Sequence, residues 1–527
     1  MRKLVIVLLL FTSISLIFWS CHKKESAAAA LAQDVKKVKP DQSKIPFDST
    51  LVAVFFAKHP NVLKYESEVK AIYRKHDFHF LWYDADGLNE VSEMLYSKMN
   101  AIETEGVKTT IPYKAELDAI FQEKETTPNP QSELLISALY FFYANKVYQG
   151  LDATQSSELG WYLPRKKQSY VSYLDSILHN PSLMHQNEKE VVGQYYRLKS
   201  VLQQYRKIEQ QGTWEPIAFE AETKALELGD SAVTVAKIRQ RLFQLGMLKS
   251  DTKSTIYDET LSEGVLKYKR TIDAKSNKTI TPKVLASLNM PIADRIKTIM
   301  VNMERCRWLP GDLTKAKEFI VINIPAYRLT YFKDGKPELI SKVVVGKAMN
   351  QTVVFSGMMQ YIVFSPYWNV PKSIIKKELM PEIAKNKNYL SQHNMEWNDG
   401  NIRQKPGPKN SLGLVKFLFP NSNNIYLHDT PAKSLFNEQS RAFSHGCIRV
   451  EKPVELANLI LKDDKNWTPE KIQVAMHKGE ESWYTLKHKI PVYIGYFTAW
   501  VDAEGTVHFY DDIYERDERL ASLIFQQ

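Results

Sequence analysis

The sequence predicts a multi-domain α+β protein: an N-terminal helical scaffold, a small three-helix bundle, and a mostly β C-terminal domain with an inserted flap. Three observations lead there. The chain has 527 residues, which at about 150 per domain suggests three or four domains. Apolar residues recur at helical spacing as far as about residue 290, then give way to short β-branched runs separated by turns. The hydrophobic share of 44% and charged share of 25% are those of a folded globular chain, which argues against a disordered, collagen-like or multi-span membrane protein. Seventy basic against 60 acidic residues leave a net charge of +10, too thin over this length to argue for nucleic acid by itself. Three cysteines cannot form a disulfide scaffold.

Arg2 and Lys3 precede an uncharged apolar run at 4–19, followed by Ser20-Cys21 and the polar His22-Lys23-Lys24. A basic start, a short apolar core and a small residue at the junction read as an export signal over 1–21. The run is shorter than the roughly 20 residues of a comfortable membrane span, although an uncleaved anchor is the alternative. Phe18-Trp19-Ser20-Cys21 resembles the cleavage box of bacterial lipoproteins, in which the cysteine becomes the lipidated N-terminus. Cys21 is therefore the expected lipidation site. The expected location is the periplasm, with tethering to a membrane by that lipid or by the signal anchor, or else secretion to the cell envelope. Nucleic acid is then excluded as a partner. Residues 22–45, lysine-rich with alanines at 27–30, read as a tether without a core-forming pattern.

Residues 46–225 read as the helical scaffold. Leu134, Leu135, Ala138, Leu139, Phe142 and Val147 recur near helical spacing, as do Tyr195, Leu198, Val201, Leu202 and Tyr205. Phe80-Leu81-Trp82 before Asp86-Gly87 reads as a core anchor and a turn. Residues 226–290 form the bundle. Val235, Ile238, Leu242 and Leu245 line one helix face ahead of a stop at Gly246. Leu261, Val265 and Tyr268 mark a second helix, and Thr281-Pro282 opens a third. Residues 291–315 are a connector packing on the scaffold, with Cys306 as a buried structural thiol. Strands are expected at 319–324, 327–332, 339–345, 361–364 and 425–428 within a domain spanning 316–500. The basic, partly helical stretch at 372–405 is long for a loop and reads as a functional flap. Pro453 suits the first position of a helix over 454–461. A C-terminal extension, 501–527, closes the chain.

The candidate chemistry gathers at Ser444-His445-Gly446-Cys447-Ile448-Arg449, with His428 17 positions before His445. A cysteine nucleophile needs a nearby imidazole to take its proton, because the free thiol has a pKa of about 8.5. It also needs an acceptor to fix the imidazole tautomer and N–H groups facing the developing oxyanion. His428 ends an expected strand, a rigid place from which to aim a base, and Gly446 lets backbone approach closely. The same three residues, His428, His445 and Cys447, could instead be zinc ligands. Spacing alone does not separate the two, although no fourth ligand is apparent.

His428, the following gap and Ser444-His445-Gly446-Cys447 resemble the signature of the L,D-transpeptidase (YkuD-like) catalytic domain. Asn302 to Pro310, Val344-Val345-Gly346-Lys347, Pro366 to Pro371 and Gly407 to Gly413 resemble its large multi-domain subgroup, over roughly 47–512. Residues 226–290 resemble a peptidoglycan-binding domain, on Leu228-Gly229-Asp230, the first helix and Thr281 to Asn289. The resemblance implies a cysteine acyltransferase with Cys447 as nucleophile, His428 as base, and His445 and Ser444 in support. Backbone N–H groups around Gly446 and Cys447 are implied for the oxyanion. Tyr367 and Trp368 are expected to wall the cleft, and Arg449 to hold a stem carboxylate unless it pairs with Glu451. No cofactor and no metal are implied. The implied partners are peptidoglycan stem peptides as donor and acceptor. The implied reaction forms 3→3 cross-links and releases D-Ala, at a site attacked by carbapenems. An L,D-carboxypeptidase with the same site and a non-catalytic wall-binding protein are the alternatives.

Overall fold

The computed structural model describes residues 44–184, 192–212, 214–313 and 315–525. The expected export signal and Cys21 lie outside the described residues, as does all but the end of the expected tether. Among the described residues, no helix is long and apolar enough to cross a membrane. The chain is a multi-domain α+β protein, helical at its N-terminus and sheet-rich towards its C-terminus.

The scaffold is built around the helix Pro130–Tyr143, which Asn129 caps through the Gln131 N–H and Pro130 starts. Its spacing suggests one apolar face, yet every residue from Ser132 to Tyr143 is buried. Neighbouring helices surround it, so its second face is covered as well. The buried Glu133 on this helix accepts from the Tyr73 hydroxyl at 2.7 Å and the Leu81 N–H at 2.6 Å. Burial raises its pKa to about 7.

The C-terminal sheet contains β1 (Trp161–Tyr162), β2 (Glu318–Asn323), β3 (Arg328–Lys333), β4 (Lys336–Gly346) and β5 (Val354–Phe364). It continues with β6 (Val415–Leu418), β7 (Leu427–His428), β8 (Ala442–Ser444), β9 (Ile448–Val450) and β10 (Ser482–Gly495). The spatial order is β6-β7-β9-β4-β3-β2-β10-β5-β1, and β5 also pairs with β6. Eight strands therefore close on themselves, which removes exposed edges. β1 comes from within the scaffold and pairs in parallel with the start of β5. Scaffold and sheet consequently share one hydrophobic core running from Phe47 to Ala521.

The helix Ile292–Trp308 welds the two. Glu304 accepts from the Leu151 N–H at 2.6 Å and from the Trp308 indole at 2.9 Å. On the sheet side, Asn302 Oδ1 accepts from the Thr498 N–H, and Arg305 pairs with Asp517 of the C-terminal helix Arg516–Phe525 at 2.7 Å. Two parts keep cores of their own. The helices Val233–Gln244, Glu259–Thr271 and Pro282–Leu288 pack around Val235, Ile238, Leu242, Leu261 and Val265. The flap is a small folded unit with short helices and a three-stranded sheet made by Trp368–Asn369, Asn401–Gln404 and Met395–Asn398. It packs around Val370, Ile374, Leu379, Met395 and Ile402. The buried Asn410 ties both of its roots by donating to the carbonyls of Pro366 at 3.0 Å and Lys405 at 2.9 Å.

Candidate active site

Strand register brings the candidate residues together. β7 and β9 run parallel, with Leu427 opposite Ile448 and His428 opposite Arg449. One step earlier Tyr426 faces Cys447, and the Ile448 N–H donates to the Tyr426 carbonyl at 3.1 Å. Side chains alternate along a strand, so Tyr426, His428, Cys447 and Arg449 project from one face. β6 adds Lys416, directly across from His428.

The turn before β9 is built for close approach. Gly446 has φ +116°, a conformation that favours glycine. Ser444 is buried; its Oγ donates to the Cys447 carbonyl at 2.5 Å and accepts from the Gly446 N–H at 3.1 Å. Thr352 Oγ1 holds the Gly446 carbonyl at 2.9 Å and accepts from the Gly346 N–H at 2.9 Å. Of the two N–H groups expected at the oxyanion, that of Gly446 is engaged by Ser444. The Cys447 N–H has no acceptor among the described residues.

His428 is buried, and its Nδ1 donates to the Asp429 carbonyl at 2.5 Å. A carbonyl can only accept, so Nδ1 carries the proton of the neutral ring and Nε2 keeps a lone pair. Burial, then the Arg449 charge, lowers its pKa to about 4. Asp429 is itself fixed, accepting from the Leu414 N–H at 2.9 Å and pairing with Lys433 at 2.6 Å. Its carboxylate lies 2.3 Å from where a Cβ on Gly413 would stand, which accounts for glycine there at φ +64°.

Cys447 is half-buried, and its Sγ contacts the Asn424 carbonyl at 3.5 Å. Burial pushes the thiol pKa up, against hydrogen bonds from the Tyr426 N–H and hydroxyl and the charge of Arg449. The Tyr426 ring lies 5.7 Å from that of His428. Arg449 has no carboxylate partner among the described residues, and its Nε is buried without a hydrogen bond. Glu451, the expected alternative partner, pairs with Lys342 at 3.7 Å.

Three further expected residues have partners of their own. His445 is exposed, and its Nε2 meets Glu378 Oε1 of the flap at 2.8 Å. The Tyr367 N–H donates to Glu481 at 2.8 Å, and its ring lies 4.1 Å from the Arg403 guanidinium. Trp368 belongs to the flap sheet and packs on the flap core. Neither aromatic is bonded to Cys447 or His428 among the described residues. Tyr426 and Asn424 were not expected from sequence. The available signal for Tyr426 was its place two residues before His428, hence on the same strand face.

Residues 317–476 match the YkuD family, described as the L,D-transpeptidase catalytic domain. These residues belong to the L,D-transpeptidase family. Ahead of the L,D-transpeptidase domain, residues 67–202 match a family described as a scaffold domain. A Haemophilus influenzae protein named "Putative L,D-transpeptidase" is 33% identical over 243 residues, covering 42% of this chain and 48% of that protein. The chain thus spans about half the length of that curated relative. A solved L,D-transpeptidase fragment of Xylanimonas cellulosilytica is similar at 10% identity, over 53% of this chain and all of that one, with a TM-score of 0.18. An L,D-transpeptidase of Mycobacterium smegmatis is similar at 13% identity, over 34% and 59%, with a TM-score of 0.20. At such scores neither structure decides anything about this chain.

Proposed function

We propose that the chain is a peptidoglycan L,D-transpeptidase that works through a Cys447 thioester. The observation that carries the reading is the single sheet face holding Cys447, a His428 whose Nδ1 is fixed by the Asp429 carbonyl, and an Arg449 without an anionic partner among the described residues. A raised thiol and a lowered imidazole disfavour a preformed thiolate–imidazolium pair. The proton therefore moves from sulfur to His428 Nε2 as the sulfur attacks.

The attacked carbon is the carbonyl of the third stem residue, taken as diaminopimelate. As the C–S bond forms, the oxyanion accepts from the Cys447 N–H and the Tyr426 hydroxyl. The bond to D-Ala then breaks, and the D-Ala amine takes the proton from His428. In the second half, the side-chain amine of a neighbouring diaminopimelate attacks the thioester, its proton passes through His428, and the sulfur leaves. The product is a 3→3 cross-link. Arg449 holds a stem carboxylate, and the flap limits water. The chain acts in the cell envelope, tethered through a lipid on Cys21.

The test is to incubate the chain from residue 44 onward with disaccharide-tetrapeptide and read products by mass. A cross-linked dimer with free D-Ala and a thioester adduct on Cys447 is expected. D-Ala with tripeptide alone would make it an L,D-carboxypeptidase. No adduct and no product would leave a wall-binding protein.

A further inference from the structure

A cavity of about 590 Å³ lies between the three-helix unit and the sheet. Asp273 and Lys275 from the end of the second bundle helix line one side. Arg328 and Lys342 from paired positions on β3 and β4 line its floor. Arg441, Glu451 and Lys452 close it, with the chain just before β8. We propose that this cavity is a second binding site, taking the far carboxylate of an acidic wall peptide. The inference rests on the peptidoglycan reading of the Cys447 site.

Charge is the first argument. Five cations line the cavity (Lys275, Arg328, Lys342, Arg441 and Lys452) against three carboxylates, on Asp273, Glu438 and Glu451. Two of the carboxylates are held at long range, Asp273 by Arg441 at 3.8 Å and Glu451 by Lys342 at 3.7 Å. Among the described residues the Lys452 ammonium donates only to the Ile340 carbonyl, at 3.2 Å, and Arg328 has no carboxylate partner. The wall is also held in place by its own contacts. Arg441 is only 8% exposed, lies 4.9 Å from the Tyr327 ring and donates to the Glu438 carbonyl at 2.7 Å. Tyr327 at φ +48° and Asp273 at φ +47° both hold left-handed backbone at this one cavity. Such conformations are costly for non-glycine residues and gather at functional sites.

Position names the ligand class. Glu451 follows Cys447 by four residues along extended chain, and its N–H continues the pairing of β9 with β4 by donating to the Lys342 carbonyl at 3.1 Å. Cys447, Arg449 and Glu451 therefore project from one face, and the cavity begins about 13 Å from the thiol. The three residues that a stem keeps on the glycan side of the attacked carbonyl span about 10 Å when extended. A stem acylated through its third residue at Cys447 passes Arg449 and directs a carboxylate on those residues towards the cations of the cavity.

The test compares the full chain with its Arg328→Glu/Lys452→Glu variant, both charges reversed. Affinity for disaccharide-tetrapeptide, measured by calorimetry in a Cys447→Ala background, is expected to fall about tenfold, the scale of one or two lost charge-assisted bonds. A fragment with amidated carboxylates is expected to bind both forms with the same weak affinity. Acylation of Cys447 by a carbapenem, too small to reach the cavity, should stay within about twofold in the double variant, and this also reports that the variant is folded. Unchanged affinity, or no binding of the fragment to the unreversed chain, overturns the second site. Failure of the parent chain to acylate overturns the peptidoglycan reading instead, while the calorimetry still reads the cavity alone.

Discussion

Cys306 and Cys447 are both free thiols whose pKa is pushed up by burial, Cys306 to about 12. Both also feel arginine charge, Cys306 from Arg307 and Arg305 and Cys447 from Arg449. The difference lies in what those arginines do. Arg305 is committed to Asp517 and Arg307 to Glu304, inside a helix that joins scaffold to sheet. Arg449 is uncommitted, and its cysteine is half-exposed beside Tyr426. A nearby cation therefore does not distinguish the two thiols; access and an unpaired cation do.

The largest effect expected from this contrast is on Cys447→Ala, which should abolish D-Ala release, a loss of more than about a thousandfold. Cys306→Ala should keep turnover within about twofold and lower stability by about 1 kcal/mol through a small cavity, read by thermal unfolding. Alkylation followed by mass should label Cys447 in the native protein and Cys306 only in denaturant. Equal labelling of the two would erase the contrast.

His428→Ala should lower turnover by about 10² to 10⁴. The pH dependence is sharper. With His428 lowered to about 4, the base is neutral across pH 5 to 8. The thiol, raised above its ordinary value, stays protonated there, so alkylation of Cys447 should accelerate steadily towards alkaline pH with no plateau near neutrality. Stability follows the same residue. A folded pKa of about 4 against 6.5 unfolded means the unfolded chain binds more protons between those values. This contribution is fully present above pH 6.5 and is lost as pH falls through 4. It amounts to about 3 kcal/mol, and acid unfolding of the wild type against His428→Gln reads it.

These residues also show how far the sequence could be read. The β-branched run at 319–324 and the turn at Asp334-Gly335 announce β2 and the β3–β4 hairpin, because local pattern suffices for them. β1 is two residues whose only reason to be a strand is pairing with a segment some 190 positions away, and no local signal carries that. Cys447 and His428 stand out through residue type and spacing. Tyr426 does not, because its role comes from parallel register with β9, which pairing decides. Ser444 and Gly446 are visible as letters, but that one occupies the N–H of the other is a matter of turn geometry.

Two substitutions sharpen the Cys447 side. Arg449→Gln removes the charge that holds both the thiol and His428 down. The alkylation profile should move to higher pH, and the KM for disaccharide-tetrapeptide should rise about tenfold through the lost carboxylate bond. Tyr426→Phe leaves the ring in place and removes one hydroxyl, so kcat should fall about tenfold. An unmoved profile in Arg449→Gln would mean the arginine does not act on the thiol.

The smallest effect is expected at His445, and it separates two roles for a histidine beside Cys447. His445 and Glu378 are 38% and 51% exposed in their side chains. A pair so open to water contributes about 1 kcal/mol or less. If the contact only seats the flap, His445→Gln and Glu378→Gln should each lower turnover a few-fold, about the same amount. The double variant should then be no worse than either, because both remove one interaction. A histidine that moved protons would behave otherwise: His445→Gln would cost about a hundredfold or more, Glu378→Gln little, and the two would not share their loss. The ring's placement against the flap favours the first pattern, and kcat for the two single variants and the double, measured together, decides it.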